Sequence, residues 1–408
     1  MTPSKPVLAV VSPYIDKHHG TERRVAEWTS RLTEDFDVHV YSQRVEDLDL
    51  GSLTWHRIPK LPGPHLANFV WWFVANHLWR WYDHRIRGIE HDLVYTAGTN
   101  CLDADAITIH ILFAEFSRQV RSELSLKSNA ITSWPGLIHR RLYYGLIKRL
   151  ERRLYVRPRA QLILIARKTA CDLNRFYGPH HNLPVVYLGI DRATFNPEMR
   201  MARRNEARTE LGVDDNQFVL LLVGNDWRKK GLHTILSALP LLADLPVLLL
   251  VVGDDEKVPY QEQIERFGLS DRVRFLPPRR DVAFYYAAAD VYVGPSLEDT
   301  FAQPPMEAMA CGLGAITSVT NGTAEIITEG VDGLVVQNPN DPEELAAQVR
   351  HLYEAPDFLQ QLGENAARTT LRYTWDKNGE EMKGILTSVL RRKKLRLRGE
   401  MEEQRDTK

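Results

Sequence analysis

The sequence predicts an α/β protein built from two doubly wound Rossmann-like domains that face a cleft. Short apolar runs of strand length alternate with longer amphipathic runs of helix length through both halves of the chain. This alternation is typical of parallel sheets with crossover helices. A polar loop that contains glycine follows the first strand of each half, where such sheets bind ligands. With 408 residues, the chain is long enough for two or three domains of roughly 150 residues.

Composition excludes several classes of protein. Hydrophobic residues make up 44% and charged residues 26%, a globular composition, and the net charge of −1 gives no reason to expect nucleic acid. Cys101, Cys171 and Cys311 are widely spaced and lack metal-ligand spacing, which favours a reducing cytoplasm over a disulfide framework. The N-terminal apolar run is too short for a signal peptide, and no run approaches the ~20 apolar residues of a membrane helix.

The first half is predicted to be a Rossmann-like domain over residues 1–183. Its predicted strands are Val7–Ser12, Val38–Tyr41, Leu53–Ile58, Asp92–Tyr95, Ala106–His110 and Leu162–Ala166. The second domain is predicted over 184–374, and the charged tail 396–408 is expected to fray.

Two features of the first half are candidate site residues. Gly20 closes a loop that feeds a helix N-terminus, where free N–H groups and the helix dipole favour an anion. The neighbouring His18 and His19 are interpreted as a polar loop rather than metal ligands, since no third ligand is near. His110 ends a strand and should face the crevice, although a core histidine is the alternative.

The loop Gly224–Gly231 follows the first strand of the second half and carries three consecutive cations. Arg228, Lys229 and Lys230 stand at the carboxyl end of Phe218–Val223. Cations in this position can neutralise a diphosphate, and arginine can bind two phosphate oxygens at once. The alternative is a solvated basic turn.

The stretch Gly294–Gly312 reads as a loop and helix between two buried strands. A doubled proline suits the first turn of the helix, and Gly312 ends it. Asp299 is predicted in the loop and Glu307 in the first helical turn, facing solvent. The loop amides around Phe301 and Ala302 are expected to point into the crevice.

This stretch resembles the donor-binding motif of family 4 retaining glycosyltransferases of the glycosyltransferase B fold (GT-B). That motif has an acidic residue, a Phe two places on, a Pro-rich step and Glu-Ala-Met-Ala-Cys-Gly. The resemblance implies that Asp299, where the family more often has Glu, contacts the donor sugar and that Glu307 holds the ribose. It also implies that Lys230 binds phosphate, that His110 lies by the sugar, and that Gly20 lies against phosphate and acceptor. The family's usual Arg after the first glycine is Asn225 here, and Arg228 is expected to compensate, as in lipopolysaccharide-core glucosyltransferases.

The resemblance implies transfer of a sugar, with retained configuration, from a nucleotide diphosphate sugar to a hydroxyl of a glycan or glycolipid. It also implies that 1–183 is the acceptor-side domain and that a helix over 375–395 packs back on it. We predict no metal and no cofactor besides this donor. The predicted catalytic residues are Lys230, Arg228, His110 and Asp299. The predicted donor-binding residues are Gly20, Gly224, Asn225, Thr300, Phe301, Ala302 and Glu307.

Two other classes of protein are weighed against this one. An NAD(P) oxidoreductase needs a Gly-x-Gly-x-x-Gly turn after a first strand, and neither Pro13–Gly20 nor Gly224–Gly231 has one. A non-catalytic nucleotide-sugar-binding protein would keep the Gly294–Gly312 motif and lose His110 or the phosphate cations, all of which are present.

Aromatic and basic runs suggest an anionic membrane surface as a further partner. The segment Asn68–Tyr82 holds Trp71, Trp72, Trp79 and Trp81 and is either a core helix or a surface helix for lipid or acceptor. Basic side chains concentrate in Arg140–Arg153 and Arg391–Arg398, which are either solvated or membrane-facing. The sequence therefore predicts a cytoplasmic protein, either free or peripheral on the inner face of the cell membrane, with a lipid-linked glycan as a candidate acceptor.

Overall fold

The computed structural model describes residues 5–17, 20–120 and 134–406. The chain divides into two compact units. The first comprises the residues up to Tyr187 together with those from Trp375 onward, and the second comprises Leu188–Thr374. The boundary expected from the sequence lies shortly before this division, and each unit is described by itself.

The first unit contains a six-stranded parallel sheet with the order β5-β3-β1-β6-β7-β8. A two-stranded ladder, β2 with β4, stands beside it. The strands in chain order are β1 Val7–Val11, β2 Tyr14–Ile15, β3 Asp37–Ser42, β4 Arg44–Val45, β5 Thr54–Arg57, β6 Leu93–Ala97, β7 Ala106–Ile109 and β8 Gln161–Leu164.

Helices cover the sheet of the first unit. Those that precede the division are α1 Gly20–Leu32, α2 His65–Tyr82, α3 Phe113–Gln119, α4 Trp134–Tyr155 and α5 Lys168–Tyr177. A π-helical turn, Asp83–Arg87, extends α2. The core on one face of the sheet joins strand residues such as Ile107 and Leu162 to Trp72 of α2 and Tyr155 of α4.

The second unit repeats this plan. Its six parallel strands have the order β11-β10-β9-β12-β13-β14. The strands are β9 Phe218–Val223, β10 Val247–Val252, β11 Val273–Leu276, β12 Val291–Val293, β13 Gly314–Ser318 and β14 Leu334–Val336. The helices are α6 Pro197–Glu210, α7 Leu232–Ala238, α8 Val258–Arg266, α9 Ala283–Ala288, α10 Gln303–Ala310, α11 Pro342–Glu354 and α12 Pro356–Thr370.

The strands β9 and β10 show why continuous apolar runs predict such a sheet. Their sequences, FVLLLV and VLLLVV, are buried almost throughout, because helices cover both faces of a parallel sheet. In both units the order of strands reverses beside the first strand, between β1 and β6 and between β9 and β12. Ligands of doubly wound sheets bind at this point, at the carboxyl ends of the strands.

The last helix, α13 Trp375–Asp406, belongs to the first unit. It packs against α1, and Lys383 of α13 pairs with Asp35 at 2.8 Å. The tail expected to fray from residue 396 instead continues this helix to Asp406. Lys393 and Lys394 pair with Asp105 at 2.7 Å and Asp92 at 3.5 Å, so part of the basic stretch Arg391–Arg398 serves this packing.

Candidate functional site

The loops after β9 and β12 meet at the strand-order reversal of the second unit. The amide of Leu297 donates to the carbonyl of Lys229 at 2.7 Å. Gly231 has φ +83°, and a Cβ at this position would stand 2.2 Å from the carbonyl oxygen of Pro295. Only glycine allows this approach, so Gly231 brings the cationic loop against the acidic one.

Lys230 and Asp299 form an ion pair across this junction. The Nζ of Lys230 donates to Oδ2 of Asp299 at 2.5 Å, and both side chains are largely buried. The sequence assigns these residues separately, one to phosphate and one to sugar. The structure brings them together and leaves Arg228 exposed on the same loop.

The rest of the cationic loop is held by its own bonds. Asn225, which stands where the resemblance expects Arg, accepts from the amide of Asp254 through Oδ1 at 2.9 Å. The amide of Trp227 donates to Asp255 at 2.8 Å. The amides of Lys230 and Gly231 donate back into the turn, to the carbonyls of Asp226 and Arg228. Charge for an anion would therefore come from side chains here rather than from these amides.

The expectation that the amides of Phe301 and Ala302 point into a crevice needs correction. Phe301 N–H donates to Oδ1 of Asp299 at 3.2 Å, and Ala302 N–H donates to Oδ1 of Asn321 at 3.1 Å. Both residues are buried, whereas Thr300 is half-buried. These hydrogen bonds hold the loop in shape around Asp299, so the two amides stabilise the loop.

Glu307 also differs from its prediction. Helix α10 begins at Gln303, one residue before the doubled proline, so Glu307 falls in the second turn rather than the first. Its side chain is buried, with 5% of the residue exposed, and Oε2 accepts from the hydroxyl of Tyr286 at 2.8 Å. The helix packing therefore places this carboxylate inward instead of toward solvent.

Tyr292 is a residue that the sequence reasoning missed. Its hydroxyl is buried and has no hydrogen-bond partner within the described residues. Burial raises the pKa of Tyr292, and the negative charges of Asp299 and Glu307 raise it further. The phenol is thus a neutral, unpaired donor that feels the charge of both acids. A tyrosine within an apolar strand is ordinarily a core residue, so its position in β12 was the only sequence feature that could have pointed to it.

His110 lies directly after β7 in the first unit. It is 4% exposed, and neither ring nitrogen has a partner among the residues that the structure describes. Its ring stacks on Trp28 of α1, with centroids 5.8 Å apart. Burial, with a smaller contribution from Arg24, holds the pKa of His110 well below its usual value. The imidazole is therefore neutral at neutral pH and can both donate and accept a hydrogen bond.

A series of hydrogen bonds connects Trp28 to residues near the two points where the chain leaves and re-enters the first unit. The indole N–H of Trp28 donates to Oδ1 of Asn378, and Nδ2 of Asn378 donates to the carbonyl of Tyr187. Tyr187 is the last residue before the chain enters the second unit, and Asn378 follows soon after the chain returns at Trp375. Sequence reasoning missed both Trp28 and Asn378, which are far apart in the chain.

Gly20 is the first residue of α1 and is exposed. A Cβ at Gly20 would meet nothing within 4 Å, so packing does not demand glycine there. His18 and His19 lie outside the described residues.

Gly224 has φ +130°, and a Cβ there would stand 3.3 Å from Cε of Lys230. Glycine at 224 therefore leaves room for the Lys230 side chain.

Neither a metal cluster nor a membrane span is found in the described ranges 5–17, 20–120 and 134–406. No group of three His, Cys, Asp or Glu side chains there could hold a metal ion. No helix there is long and apolar enough to cross a membrane.

Comparisons with known proteins cover the region that holds these two loops. Residues 203–369 match the family model "Glycosyl transferases group 1". This range contains Lys230, Asp299 and Glu307, so the two meeting loops belong to a glycosyltransferase group 1 domain. The predicted transferase is confirmed at the level of this domain.

Sequence relatives cover part of the chain. Spore coat protein SA of Bacillus subtilis is 26% identical over 267 residues, which span 61% of this chain and 70% of that protein. The D-inositol 3-phosphate glycosyltransferase 2 of Catenulispora acidiphila is 31% identical over 230 residues, 53% of each chain. The chain thus spans about half the length of this second relative.

Solved structures match over nearly the whole chain. WaaG, a glycosyltransferase involved in lipopolysaccharide biosynthesis, has a TM-score of 0.74 at 20% identity, covering 93% of this chain and all of WaaG. Anabaena Alr3699/HepE in complex with UDP and glucose has a TM-score of 0.67 at 20% identity, covering 94% of this chain and 100% of that one. The prediction of an α/β fold with two Rossmann-like domains of the glycosyltransferase B type is confirmed.

Proposed function

We propose that this protein is a retaining glycosyltransferase that moves a sugar from a UDP- or GDP-sugar to a hydroxyl of a glycan or lipid-linked glycan. The observation that carries this proposal is the Lys230–Asp299 ion pair, placed where β9 and β12 end inside the group 1 domain. Lys230, a cation suited to phosphate, and Asp299, an acid suited to sugar hydroxyls, are joined by a single hydrogen bond. A sugar diphosphate presents these two groups side by side.

In the proposed reaction, the acceptor oxygen forms a bond to the anomeric carbon while the bond from that carbon to the diphosphate breaks. The acceptor proton leaves with the diphosphate or passes to solvent. Negative charge grows on the diphosphate as the bond breaks, and Lys230 and Arg228 would stabilise it. Removing one preorganised donor of this kind costs about 3–4 kcal/mol of transition-state stabilisation.

The remaining roles follow from the second and first units separately. Asp299 would accept hydrogen bonds from sugar hydroxyls, and Glu307 from ribose hydroxyls, with Tyr286 holding its other bond. His110 would contribute a neutral imidazole to the sugar. A neutral ring suits this role, because it can donate a hydrogen bond to one sugar hydroxyl and accept one from another.

The choice of UDP among nucleotides is supported by one neighbour in fold. The Anabaena Alr3699/HepE structures hold UDP, UDP and glucose, or UDP-glucose. GDP remains the other candidate of the proposal. An acceptor in lipopolysaccharide or surface polysaccharide synthesis is suggested by the likeness to WaaG. Such an acceptor would place the protein in the cytoplasm, peripherally on the inner face of the cell membrane.

A panel of nucleotides tests the donor. UDP, GDP, ADP and dTDP, each alone and as a sugar conjugate, are compared by thermal shift. A ligand at 100 times its Kd should stabilise the native protein by about 2.7 kcal/mol. Stabilisation by UDP or GDP sugars alone would support the proposal, and no stabilisation by any of them would contradict it.

Turnover separates an enzyme from a non-catalytic binder. Release of nucleoside diphosphate, measured with the donor that binds, should continue in excess EDTA because cationic side chains supply the charge. Loss of release on chelation, restored by Mg²⁺ or Mn²⁺, would show a metal requirement. Tight donor binding with no release across a panel of glycan acceptors would favour the binding protein instead.

A further inference from the structure

An exposed apolar line runs along α2 of the first unit. Ala67, Val70, Val74, Leu78 and Trp81 recur every three or four residues and are all exposed, Leu78 by 52% and Trp81 by 59%. Residues at this spacing lie on one face of a helix. From Ala67 to Trp81 the line is roughly 20 Å long at 1.5 Å per residue. We call these five residues the α2 stripe.

The α2 stripe is distinct from the tryptophans that the sequence emphasises. Trp72 is buried in the core of the first unit, and Trp71 and Trp79 are partly buried against the same core. Of the four tryptophans only Trp81 belongs to the stripe. The segment Asn68–Tyr82 therefore has a core side and an exposed side on the same helix. The exposed side of α2 is mostly aliphatic, although the segment as a whole is rich in aromatic residues.

Helix α4 extends this apolar surface. The amide of Leu66 donates to Nε2 of His139 at 3.2 Å, which sets α4 beside the start of α2. Ile138 and Leu142 of α4 are exposed as well. A shallow open depression of about 640 Å³ lies between the two helices. It is lined by Pro64, Leu66, Ala67, Val70, Trp71, Val74 and His139.

Every exposed charge on these two helices is positive. The single formal charge of α2, Arg80, is buried and bonded to Asp103 by two nitrogens. The single acid of α4, Glu151, is also buried and accepts from the amide of Phe113 at 2.7 Å. The exposed charged residues of α4 are Arg140, Arg141, Lys148, Arg149, Arg152 and Arg153. With 52 basic and 53 acidic residues in the chain, this bias is local.

We propose that the α2 stripe and the cations of α4 dock the first unit onto an anionic lipid surface, with α2 lying in the plane of the interface. The stripe carries no charged side chain for specific pairing with a protein partner, and the cations of α4 match anionic headgroups. The apolar side chains would enter the boundary between headgroups and acyl chains. The lipid would then cover a surface that the described residues leave open to water.

A second copy of the chain fits the same surface less well. Isologous pairing through α2 and α4 would bring two sets of six exposed cations to one interface. Like charges brought together across an interface oppose association, whereas an anionic membrane neutralises them.

The proposed function enters this inference only as its purpose, since docking would bring the enzyme to a lipid-linked acceptor. Binding itself is measured without donor or acceptor. Vesicles of phosphatidylcholine, with and without phosphatidylglycerol, are sedimented with the full-length protein at low and high salt. We expect binding to the anionic vesicles that falls steeply as salt rises.

Two matched double variants isolate the stripe. Val74→Glu with Leu78→Glu places two charges in it, and we expect vesicle binding to weaken about tenfold or more. Met201→Glu with Val258→Glu makes the same change in net charge at exposed positions of the second unit and should bind as the unaltered protein does. A third variant, Arg140→Gln with Arg141→Gln, should weaken binding to anionic vesicles by about fivefold per charge.

Three results would overturn the proposal. The unaltered protein could fail to bind anionic vesicles at low salt, or the two Glu pairs could weaken binding equally. Ultracentrifugation could instead show a self-associated protein that only the stripe pair dissociates, and the surface would then join copies of the chain. Thermal melting and donor calorimetry of the stripe pair, unchanged from the unaltered protein, distinguish lost docking from misfolding or from failure of the proposed function.

Discussion

The two units share one strand order but hold their candidate ligand groups in different ways. In the second unit Lys230, Asp299 and Glu307 are ionisable, and each is already bonded to a protein neighbour. In the first unit His110 is buried and neutral, with neither ring nitrogen bonded to any described residue. A buried charge without a partner is far more costly than a buried neutral donor. Charged site residues are therefore kept in pairs, while a neutral one can remain unpaired.

This difference has a consequence for ligand binding. A donor that binds to the second unit must replace or share existing bonds such as Lys230–Asp299. A sugar that reaches His110 would bond to ring nitrogens that no described residue pairs. We therefore expect the largest losses from substitutions in the second unit and smaller losses from substitution of His110. Substitutions in the two units can test this contrast.

Lys230→Ala should have the largest effect, lowering kcat about 100- to 1000-fold with a smaller change in donor Kd. The physical reason is that charge on the diphosphate grows as the glycosidic bond breaks. Lys229→Ala is the matched control, because Lys229 lies in the same turn but pairs with Asp226 at 2.9 Å. Its kcat should change by less than about tenfold. Equal losses in the two variants would make the loop a non-specific basic patch.

Glu307 allows a subtler comparison within the second unit. Glu307→Gln keeps a group that can accept from Tyr286 but loses the charge, so donor affinity should fall about tenfold to hundredfold with little change in Tm. Glu307→Ala should lose the same affinity and also lower Tm, because the buried hydroxyl of Tyr286 loses a partner. Calorimetry and thermal melting measure the two effects. Donor affinity that survives both changes would remove Glu307 from the ribose contact.

His110 and Trp28 test the first unit. His110→Ala should weaken turnover by about tenfold, the value of one hydrogen bond between neutral groups. If the stacked indole positions the imidazole, Trp28→Leu should cause a similar loss. Trp28→Phe keeps an aromatic ring and removes only the N–H that donates to Asn378, so it should retain most activity.

The double variant His110→Ala with Trp28→Leu completes this experiment. It should be no slower than His110→Ala alone, because residues that act through one contact are not additive. An additive loss would show that Trp28 acts independently of His110. A loss with Trp28→Phe as large as with Trp28→Leu would instead assign importance to the hydrogen bonds through Asn378.

Most of the fold was predictable because it depends on local patterns. Buried parallel strands read as continuous apolar runs, and β9, β11 and α5 begin and end where the sequence places them. The two loops of the second unit were also found, because glycines and prolines mark them. The region of the site could therefore be located from the sequence.

What the sequence could not supply was the pairing of residues distant in the chain. Lys230 and Asp299 are brought together by the close approach of Gly231 to Pro295, and a spacing pattern contains no such contact. Glu307 is buried on the packed side of α10, where it accepts from the hydroxyl of Tyr286, 21 residues away, and a helix pattern contains no such contact.

The smallest predicted effect is a change in stability with pH, which should differ between the two units. His39 and Tyr41 of β3 and His56 of β5 share one face of the sheet, with Asp83 bonded to both Tyr41 and His56 at 2.7 Å. The rings of His39 and His56 stack, and their facing nitrogens lie 2.9 Å apart. Nε2 of His91 lies 3.0 Å from the Tyr41 hydroxyl. Burial among these groups makes it difficult for His56 and His91 to gain a charge.

Burial lowers the pKa of His91 to about 4. Burial also lowers the pKa of His56, and the opposing effect of the neighbouring Asp83 is smaller. In the unfolded chain these groups titrate near 6.5. Between pH 6.5 and about 4 the unfolded state therefore binds more protons, and the free energy of unfolding falls as the pH falls. Burial raises the pKa of Glu151 in the same unit, which acts in the opposite direction at the acidic end of this range.

Among the described histidines, those with a lowered pKa all belong to the first unit, so mild acid should loosen that unit first. Hydrogen exchange at pH 7 and pH 5, corrected for intrinsic rates, should show lost protection in β3 and β5 before β9 and β10. His91→Gln should take up as much as about one proton fewer on unfolding than the unaltered protein does. Equal loss of protection in the two sheets, with an unchanged proton uptake in His91→Gln, would show that the histidine cluster does not control acid stability.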